Sequence, residues 1–187
     1  HYLRKAKIVP GQSVLVVGAS GSVGTAAVQL AVHFGANVTG VSSKANLDLV
    51  RSIGAEQTLD YNSDEYAKEA TQYDVVVDTV GKVPWKDHLH RVKADGKLVL
   101  INPGALRSMY LPLLQPFYKP RIVAGVGAEK RVDLEIIRDL AEQKKLRPVI
   151  DRTYPLAQIA EAHRYVEAGH KKGNVVVTVA RGTNGNI

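Results

Sequence analysis

The segment that most constrains this chain is Gly18-Ala19-Ser20-Gly21-Ser22-Val23-Gly24, which stands between an apolar run and a stretch of helical periodicity. Residues 13–17 predict a buried strand, and apolar residues recur at helical spacing through 23–34, up to a capping glycine at 35. Gly21 allows a ligand to approach the backbone and Gly24 allows the helix to pack on the strand, although Ala19 replaces the first glycine of the G-x-G-x-x-G fingerprint. The seven residues therefore predict a turn that binds a dinucleotide pyrophosphate at the start of a helix.

Other uses of a glycine-rich turn fit these residues less well. A hydrolase nucleophile elbow needs G-x-S-x-G and a P-loop needs Gly-Lys-Ser/Thr, and this turn has neither. A short-chain dehydrogenase carries Tyr-x-x-x-Lys, but none of the 8 tyrosines has a lysine four residues on. An ordinary strand-to-helix turn remains the structural alternative.

Short β-branched runs alternate with helix-compatible segments along the chain. Strands are predicted at 13–17, 37–41, 73–78, 97–101 and 122–126, with a short one through Thr58 and Leu59. This alternation predicts an α/β fold, a doubly wound parallel (Rossmann) sheet with helices on both faces. The four prolines within 103–120 predict a mobile loop or lid, and helices are expected at 132–146 and from Pro155 to about 168. We expect a dinucleotide-binding domain at 1–145, a separate C-terminal segment at 146–180 and a disordered tail at 181–187.

The amino-acid composition excludes several classes of binding partner and metal site. The chain has 45% hydrophobic residues, no cysteine and a net charge of +7, which excludes disulfides and thiolate zinc sites within it. The basic residues form no stripe interleaved with aromatic residues, so we expect no nucleic-acid partner. No apolar run approaches the ~20 residues of a membrane span and no secretory leader opens the chain, so we expect a cytoplasmic protein without a membrane partner. His88, His90, His163 and His170 have no recognisable third ligand, and no metal site is predicted.

The residues after the second strand indicate which nicotinamide cofactor binds. An acidic residue there would bind the free ribose 2′-OH of NAD, whereas this chain has Ser42-Ser43-Lys44. Two hydroxyls and an ammonium form a site for a phosphate dianion. The cofactor predicted is therefore NADP(H), with a solvated polar turn as the alternative.

The turn, the Ser42-Ser43-Lys44 tip and several further motifs together resemble the medium-chain dehydrogenase/reductases, specifically their zinc-independent, quinone oxidoreductase-like branch. The further motifs are Ser52-Ile53-Gly54-Ala55-Glu56, Asp60-Tyr61, Asp74-Val75-Val76-Val77-Asp78-Thr79-Val80-Gly81, Gly96 to Ile101, and the region from Leu146 to Val176. The resemblance implies that Tyr61 packs beside the 2′-phosphate, that Thr79, Val80 and Asn102 approach the ribose and nicotinamide, and that Gly173 and Asn174 touch the cofactor. Asp78 is either a further cofactor-binding residue or a strand-end cap.

The same resemblance implies an NADPH-dependent reductase of quinones, enones or related activated carbonyls. A homodimer is expected on a different ground, because the predicted strand at 122–126 could pair with its twin at the edge of the sheet. Members of the family carry an N-terminal GroES-like catalytic domain that this sequence lacks, so we expect the chain to be inactive alone and assign no catalytic residue. A zinc-dependent alcohol dehydrogenase, with its metal ligands in the missing part, is the alternative among enzymes. A non-catalytic nucleotide-binding or scaffold protein is the alternative outside them.

Overall fold

The fold was established from a computed structural model, which describes residues 1–101, 103–124, 127 and 130–179. Its centre is a parallel six-stranded sheet in the order β3-β2-β1-β4-β5-β6. The strands are β1 (Ser13–Val17), β2 (Asn37–Ser42), β3 (Gln57–Asp60), β4 (Tyr73–Asp78), β5 (Val92–Leu100) and β6 (Arg121–Val123). This is the dinucleotide-binding strand order, in which β2 and β3 are added on one side of β1 and β4, β5 and β6 on the other. The prediction of a doubly wound parallel sheet is confirmed.

Helices cover both faces because side chains alternate along each strand. Val14 and Val16 belong to one buried cluster, and Leu15 and Val17 belong to the other. The first face packs against α1 (Tyr2–Ala6), α2 (Ser22–His33) and α3 (Leu47–Ser52); the second packs against α4 (Asp64–Ala67), the 3-10 helix Trp85–Arg91 and α5 (Ala105–Leu114). Both faces are therefore buried, as parallel sheets require.

The region rich in proline is largely helical, and the prediction of a loop or lid was wrong. It forms α5 and the 3-10 helix Gln115–Phe117. Leu111 is fully buried on the second face of the sheet, with Tyr110 and Leu114 packed beside it. Burial of these apolar side chains stabilises the helix enough to offset the loss of the hydrogen bond that a proline at 112 cannot make.

Two predicted boundaries also differ from the structure. The strand predicted at 122–126 is β6, which ends at Val123, and residues 125 and 126 lie outside the described residues. The helix predicted at 132–146 is α6 (Arg131–Glu142), which closes early because Lys144 adopts a left-handed conformation with φ of 57°.

The C-terminal segment forms a smaller unit of its own. Strands β7 (Ile150–Pro155) and β8 (Asn174–Thr178) pair in parallel, and the 3-10 helix Leu156–Gln158 and α7 (Ile159–Glu167) connect them. The helix expected from Pro155 therefore begins as a 3-10 turn. Residues 180–187 lie outside the described residues, and so does the predicted tail. In the part of the chain that is described, no helix is long and apolar enough to cross a membrane.

Candidate functional site: a cleft at the carboxyl ends of the strands

The glycine-rich turn joins β1 to α2 at the point where the strand order reverses. Gly18 has a φ of 81°, and its N–H and that of Ala19 both donate to the Val41 carbonyl at the end of β2, at 3.0 and 2.9 Å. Gly21 is the N-cap of α2 and has no side chain to accept a hydrogen bond from the helix. The first N–H groups of a helix have no partner within it, and they form the positive end of its dipole. The start of α2 can therefore bind an anion.

Glycine is favoured at positions 24 and 21 of the turn for different physical reasons. A Cβ at Gly24 would lie 2.0 Å from the Gly18 carbonyl oxygen, so the packing of α2 on the turn excludes any side chain there. A Cβ at Gly21 would come no closer than 3.6 Å to the rest of the protein. Internal packing therefore does not require Gly21, whereas close approach of a ligand to the helix would.

A cleft of about 680 Å³ opens beside this turn. Eight of the predicted site residues line it: Gly18, Ser20, Gly21, Ser42, Ser43, Tyr61, Asp78 and Val80. Ala19 is fully buried in the first core cluster and Gly24 packs against Gly18, so both support the turn from behind. Val23 lies on α2 with its side chain 46% exposed, outside the lining of the cleft. Asn102 lies outside the described residues.

The end of β2 forms one wall of the cleft. Ser42 is buried and its hydroxyl donates to the Ser43 carbonyl, while Lys44 is exposed at the start of the 3-10 helix Lys44–Asn46. Asn46 is buried; its Nδ2 donates to Ser20 Oγ at 3.2 Å, but its Oδ1 has no hydrogen-bond partner in the described part of the protein. Tyr61 follows β3 with its ring 53% exposed in the cleft. This wall presents hydroxyls and an unpaired buried acceptor, and Lys44 lies next to it without lining the cleft.

The end of β4 forms the opposite wall. Thr79 Oγ1 donates to the Val17 carbonyl at 2.8 Å and so ties β4 to β1. Asp78 Oδ1 accepts hydrogen bonds from the N–H groups of Val80 and Gly81, at 2.8 and 3.0 Å, which makes Asp78 a strand-end cap. Val80 is 46% exposed and gives the wall an apolar surface.

A buried histidine lies behind Asp78. His88 Nε2 is 3.4 Å from Asp78 Oδ2, and the two residues are only 1% and 3% exposed. Burial raises the pKa of the Asp78 carboxyl, but the neighbouring His88 side chain and the hydrogen bonds from the Gly81 and Val80 N–H groups outweigh burial and hold this pKa below its ordinary value. Asp78 is therefore ionised when it caps the turn.

The C-terminal segment returns to the glycine-rich turn. Gly173 forms a parallel bridge with Gly21, and its N–H donates to the Ser20 carbonyl at 2.8 Å. Ser22 Oγ donates to the Gly173 carbonyl at 2.6 Å, and Asn174 Nδ2 donates to the Val149 carbonyl at 3.1 Å. The structure therefore brings Gly173 beside the turn, whereas the Asn174 side chain bonds within its own segment.

Several residues of the cleft were not predicted from the sequence. They are Asn46, Tyr66, Lys82, Val83, Gly169, His170, Lys171 and Lys172. The run Gly-His-Lys-Lys-Gly before Gly173 and Asn174 was the available signal for the last four, because it concentrates cations beside two residues already expected at the cofactor. Among the described residues, no group of three or more His, Asp or Glu side chains is arranged to hold a metal ion.

Comparisons with known proteins agree with this architecture. A family described as zinc-binding dehydrogenase matches residues 53–177, and the C-terminal domain of alanine dehydrogenase/PNT matches residues 4–88. A mitochondrial NAD(P)H oxidoreductase of Mus musculus is 32% identical over 191 residues, covering 90% of this chain and 48% of that protein. A chloroplastic quinone-oxidoreductase homolog of Spinacia oleracea is 31% identical over 171 residues, covering 89% of this chain and 52% of its own length.

Solved structures show the same relationship. The quinone oxidoreductase from Coxiella burnetii superposes with a TM-score of 0.84 at 27% identity, covering 96% of this chain and 56% of that one. An NAD-dependent alcohol dehydrogenase superposes with a TM-score of 0.82 at 27% identity, covering 96% of this chain and 54% of that one. The chain spans about half the length of the curated relatives it matches. It belongs to the zinc-binding dehydrogenases of the medium-chain dehydrogenase/reductase family, has quinone oxidoreductase-like relatives, and has the nucleotide-binding Rossmann fold of that family.

Proposed function

We propose that the cleft binds NADP(H) and that the protein is an NADPH-dependent, zinc-independent reductase of quinones, enones or related activated carbonyls. One observation carries the cofactor assignment: Gly21 at the uncapped start of α2 lines the same cleft as Ser42 and Ser43, and Lys44, which is exposed outside the lining, follows Ser43 directly in the chain. A dinucleotide phosphate needs the first feature, and the extra phosphate of NADP needs the second. The reductase assignment draws on the relatives named quinone oxidoreductases.

The residues present fit a dinucleotide. Gly21 leaves open the space that a Cβ would fill, which suits a phosphate held against the backbone. The Asn46 side chain lines the cleft with an unpaired buried Oδ1, and a buried acceptor without a donor costs free energy until a ligand hydroxyl or N–H supplies one. Both features favour a bound ligand.

The choice of NADP(H) over NAD(H) rests on charge. Residues 42–46 contain no carboxylate, and Lys44 is exposed beside Ser43. Asp78 is the acidic residue of the cleft lining, and its carboxylate is engaged by the turn of Val80 and Gly81. The tip after β2 therefore offers donors to a 2′-phosphate and no like charge against it.

When bound, NADPH supplies the hydride for reduction. The residues of this chain hold and orient the cofactor: the start of α2 binds phosphate, the Ser43 and Lys44 tip binds the 2′-phosphate, and Val80 gives an apolar surface at the β4 end. We assign these residues to cofactor binding and none of them to proton transfer.

A fluorescence titration with NADPH and NADH tests the cofactor assignment. Wild-type protein is expected to bind NADPH more tightly than NADH, and Lys44→Ala to lose about 10- to 100-fold in NADPH affinity, as for a hydrogen bond to a charged group. Its NADH affinity should not change. Lys145→Ala is the matched control, because it removes one exposed lysine near the end of α6, outside the cleft. Equal wild-type affinities for the two cofactors would refute the choice of NADP(H).

Turnover tests the reductase assignment separately. A panel of quinones, enones and aldehydes is assayed for NADPH oxidation with this chain and with a longer protein that contains it, and metal content is measured alongside. Oxidation without bound zinc is expected from the longer protein, and binding without turnover from this chain alone. Activity that requires zinc would instead favour an alcohol dehydrogenase, and NADPH binding without any turnover in the longer protein would favour a nucleotide-binding scaffold.

We further propose a cytoplasmic homodimer. Strand β6 is an edge of the sheet, and an edge strand can pair with a second copy. The Gln115 side chain, whose Oε1 accepts a hydrogen bond from the Ile122 N–H at 2.7 Å, would have to move aside. Because two relatives are named as mitochondrial and chloroplastic proteins, the cellular compartment of this protein needs a direct test. Analytical ultracentrifugation tests the homodimer, and fluorescence tagging in cells tests the cytoplasmic location.

A further inference from the structure

His88 is a buried polar side chain to which the proposed function gives no role. It lies on the 3-10 helix Trp85–Arg91 and is 1% exposed. Neither of its ring nitrogens has a hydrogen-bond partner in the part of the chain that the structure describes. Because a buried polar group without a hydrogen bond costs free energy, an apolar residue of similar size would suit a purely structural role at this position better.

The polar contact that His88 makes is with Asp78. Its Nε2 lies 3.4 Å from Asp78 Oδ2, and among the described residues no other side chain pairs with that oxygen. The other oxygen, Oδ1, accepts hydrogen bonds from the N–H groups of Val80 and Gly81. The carboxylate is therefore held between the imidazole at one oxygen and the turn of residues 79–81 at the other.

This capped turn packs directly on the glycine-rich turn. Thr79 Oγ1 donates to the Gly18 carbonyl at 3.3 Å, and a Cβ added at Gly18 would lie 2.2 Å from Val80 Cγ2. Val80 and Gly18 both line the cleft. A movement of the Asp78 carboxylate would therefore move the β4 wall relative to the turn that is proposed to bind the pyrophosphate.

The 3-10 helix that carries the imidazole is fixed at both ends. At its start, the Trp85 ring packs edge-on against Tyr118, with 5.2 Å between the ring centroids. At its end, Arg91 Nη2 donates to the Tyr66 carbonyl at 2.9 Å, and Arg91 Cζ lies 4.3 Å from the centroid of the Tyr66 ring. The imidazole is therefore a support whose backbone is held by packing outside the cleft.

The charged and titratable groups around the pair leave His88 as the side chain that acts on Asp78. These groups are Asp87, His90 and Arg91 on the same 3-10 helix, Tyr66 on α4, and the exposed Lys82 that follows the turn. Within the described ranges none of them forms an ion pair or a hydrogen bond with Asp78.

We infer that His88 is a positioning residue for cofactor binding: through Asp78 it holds the turn of residues 79–81 against the glycine-rich turn and so fixes the β4 wall of the cleft. The inference rests on the proposed dinucleotide site and adds to it a side chain that does not touch the ligand. The β4 wall lies opposite the wall of Ser42 and Ser43, where the 2′-phosphate is proposed to bind. His88 therefore serves NADPH and NADH alike.

The first test measures dissociation constants for NADPH and NADH in the 187-residue chain, with a thermal melt to check folding. His88→Leu is expected to weaken both cofactors by a similar factor, about 10-fold, which is the scale of coupling between residues in contact. His88→Gln should retain most of the affinity, because its amide nitrogen can take the position of Nε2. His90→Leu is the matched control, since it makes the same substitution at an exposed histidine of the same helix, outside the lining of the cleft.

A pH titration of the Val80 and Gly81 amide signals by NMR tests the contact with Asp78 directly. Both N–H groups donate to Asp78 Oδ1, so their signals follow its ionisation. Burial raises the pKa of Asp78, whereas His88 and these N–H groups lower it. In His88→Leu both amides should therefore titrate at a higher pH than in wild type, and in His90→Leu at the wild-type pH.

A double-mutant cycle with Asp78→Asn shows whether His88 acts through Asp78. His88→Leu is expected to cost little further affinity in the Asp78→Asn background, because the carboxylate that it positions is already absent. A full 10-fold loss in that background would overturn the inference. So would an unchanged amide titration in a His88→Leu protein with lower affinity and a lower melting temperature, because His88 would then be a packing residue only.

His88→Asn replaces His88→Leu if the leucine variant does not fold. Its shorter side chain does not reach Asp78, so it should show the same loss of affinity and the same change in the amide titration. Wild-type behaviour of His88→Asn in both measurements would refute the positioning role.

The amide titration needs no cofactor, so this inference and the proposed function can fail separately. If wild type and His88→Leu bind both dinucleotides equally well, the inference fails and the proposed function stands. If wild type binds neither dinucleotide, the proposed function fails and His88 has no cofactor to position, although a shifted amide titration would still show that it holds the turn.

Discussion

Gly24 and Gly21 provide a sharp test of the physical reasoning, because the same substitution should have opposite consequences at two positions three residues apart. Serine at position 24 would place its Cβ 2.0 Å from the Gly18 carbonyl oxygen and 2.8 Å from Ala19 Cα. Both obstacles are backbone atoms of a turn that is itself bonded to β2. The helix would have to move away by more than an ångström to restore ordinary contact.

That movement lowers the free energy of unfolding of Gly24→Ser. Overpacking typically costs about 1–3 kcal/mol, and a backbone obstacle places Gly24→Ser at the upper end. Serine has a better helix propensity than glycine by a few tenths of a kcal/mol, which offsets little of this cost. For a chain of this size about 3 kcal/mol corresponds to a melting temperature lower by roughly 6–12 °C.

At Gly21 the same substitution meets no such obstacle. The nearest atom to an added Cβ is 3.6 Å away, the φ of −78° suits any residue, and serine is a good N-cap. Gly21→Ser is therefore expected to melt within about 1–2 °C of wild type. If the cleft binds a dinucleotide, the added side chain fills the phosphate approach and weakens NADPH by at least about 10-fold.

The assay is a thermal melt of the three proteins by circular dichroism, followed by NADPH titration of those that are folded. A Gly24→Ser protein that melts with wild type would refute the packing argument. A Gly21→Ser protein that melts as low as Gly24→Ser would show that both glycines serve the fold, and a Gly21→Ser protein with full NADPH affinity would remove Gly21 from the site.

Two further predictions concern Asp78 in the cleft and the contact between Gln29 of α2 and Arg147 of the C-terminal segment. The pKa of Asp78 is lower in the folded protein than its unfolded value of about 3.9, so ionised Asp78 adds stability above that pH and loses it as the pH falls through the folded-state pKa. Urea unfolding between roughly pH 2 and 7 should show that Asp78→Asn lowers stability at neutral pH and flattens the loss below about pH 4; an unchanged acid limb would contradict this. Gln29 bonds both the N–H and the carbonyl of Arg147, at 2.9 and 3.0 Å, so Gln29→Ala should accelerate amide exchange at Arg147 while costing about 1 kcal/mol or less. Unchanged exchange there would show that this pair does not hold the C-terminal unit to α2.

The central sheet and the glycine-rich turn could be predicted because their determinants are local. Alternation between apolar strands and helical periodicity spans a few residues at a time, and Gly24 is required by a carbonyl only six residues away. The strand order then follows from the rules for parallel α/β sheets. Helix α5 could not be predicted in this way, because its stability comes from Leu111 packing against strands that are distant in sequence, and this packing outweighs the local effect of proline.

Lys171, which lines the cleft, shows the same limit of prediction from local sequence patterns. A net charge of +7 is distributed along the chain, and the run Gly-His-Lys-Lys-Gly marks the region of Lys171 without showing which helix its ammonium contacts. The fold separates Lys171 from Lys145, because Lys171 contacts a helix start that lies 149 residues earlier in sequence, whereas Lys145 follows a helix end that favours it locally. The dipole of α6 explains the position of Lys145, but the position of Lys171 depends on tertiary contacts with Ser22 and Gly173. Local spacing therefore predicts charges that stabilise their own helix, whereas a charge that is positioned by tertiary contacts can be located only from the fold.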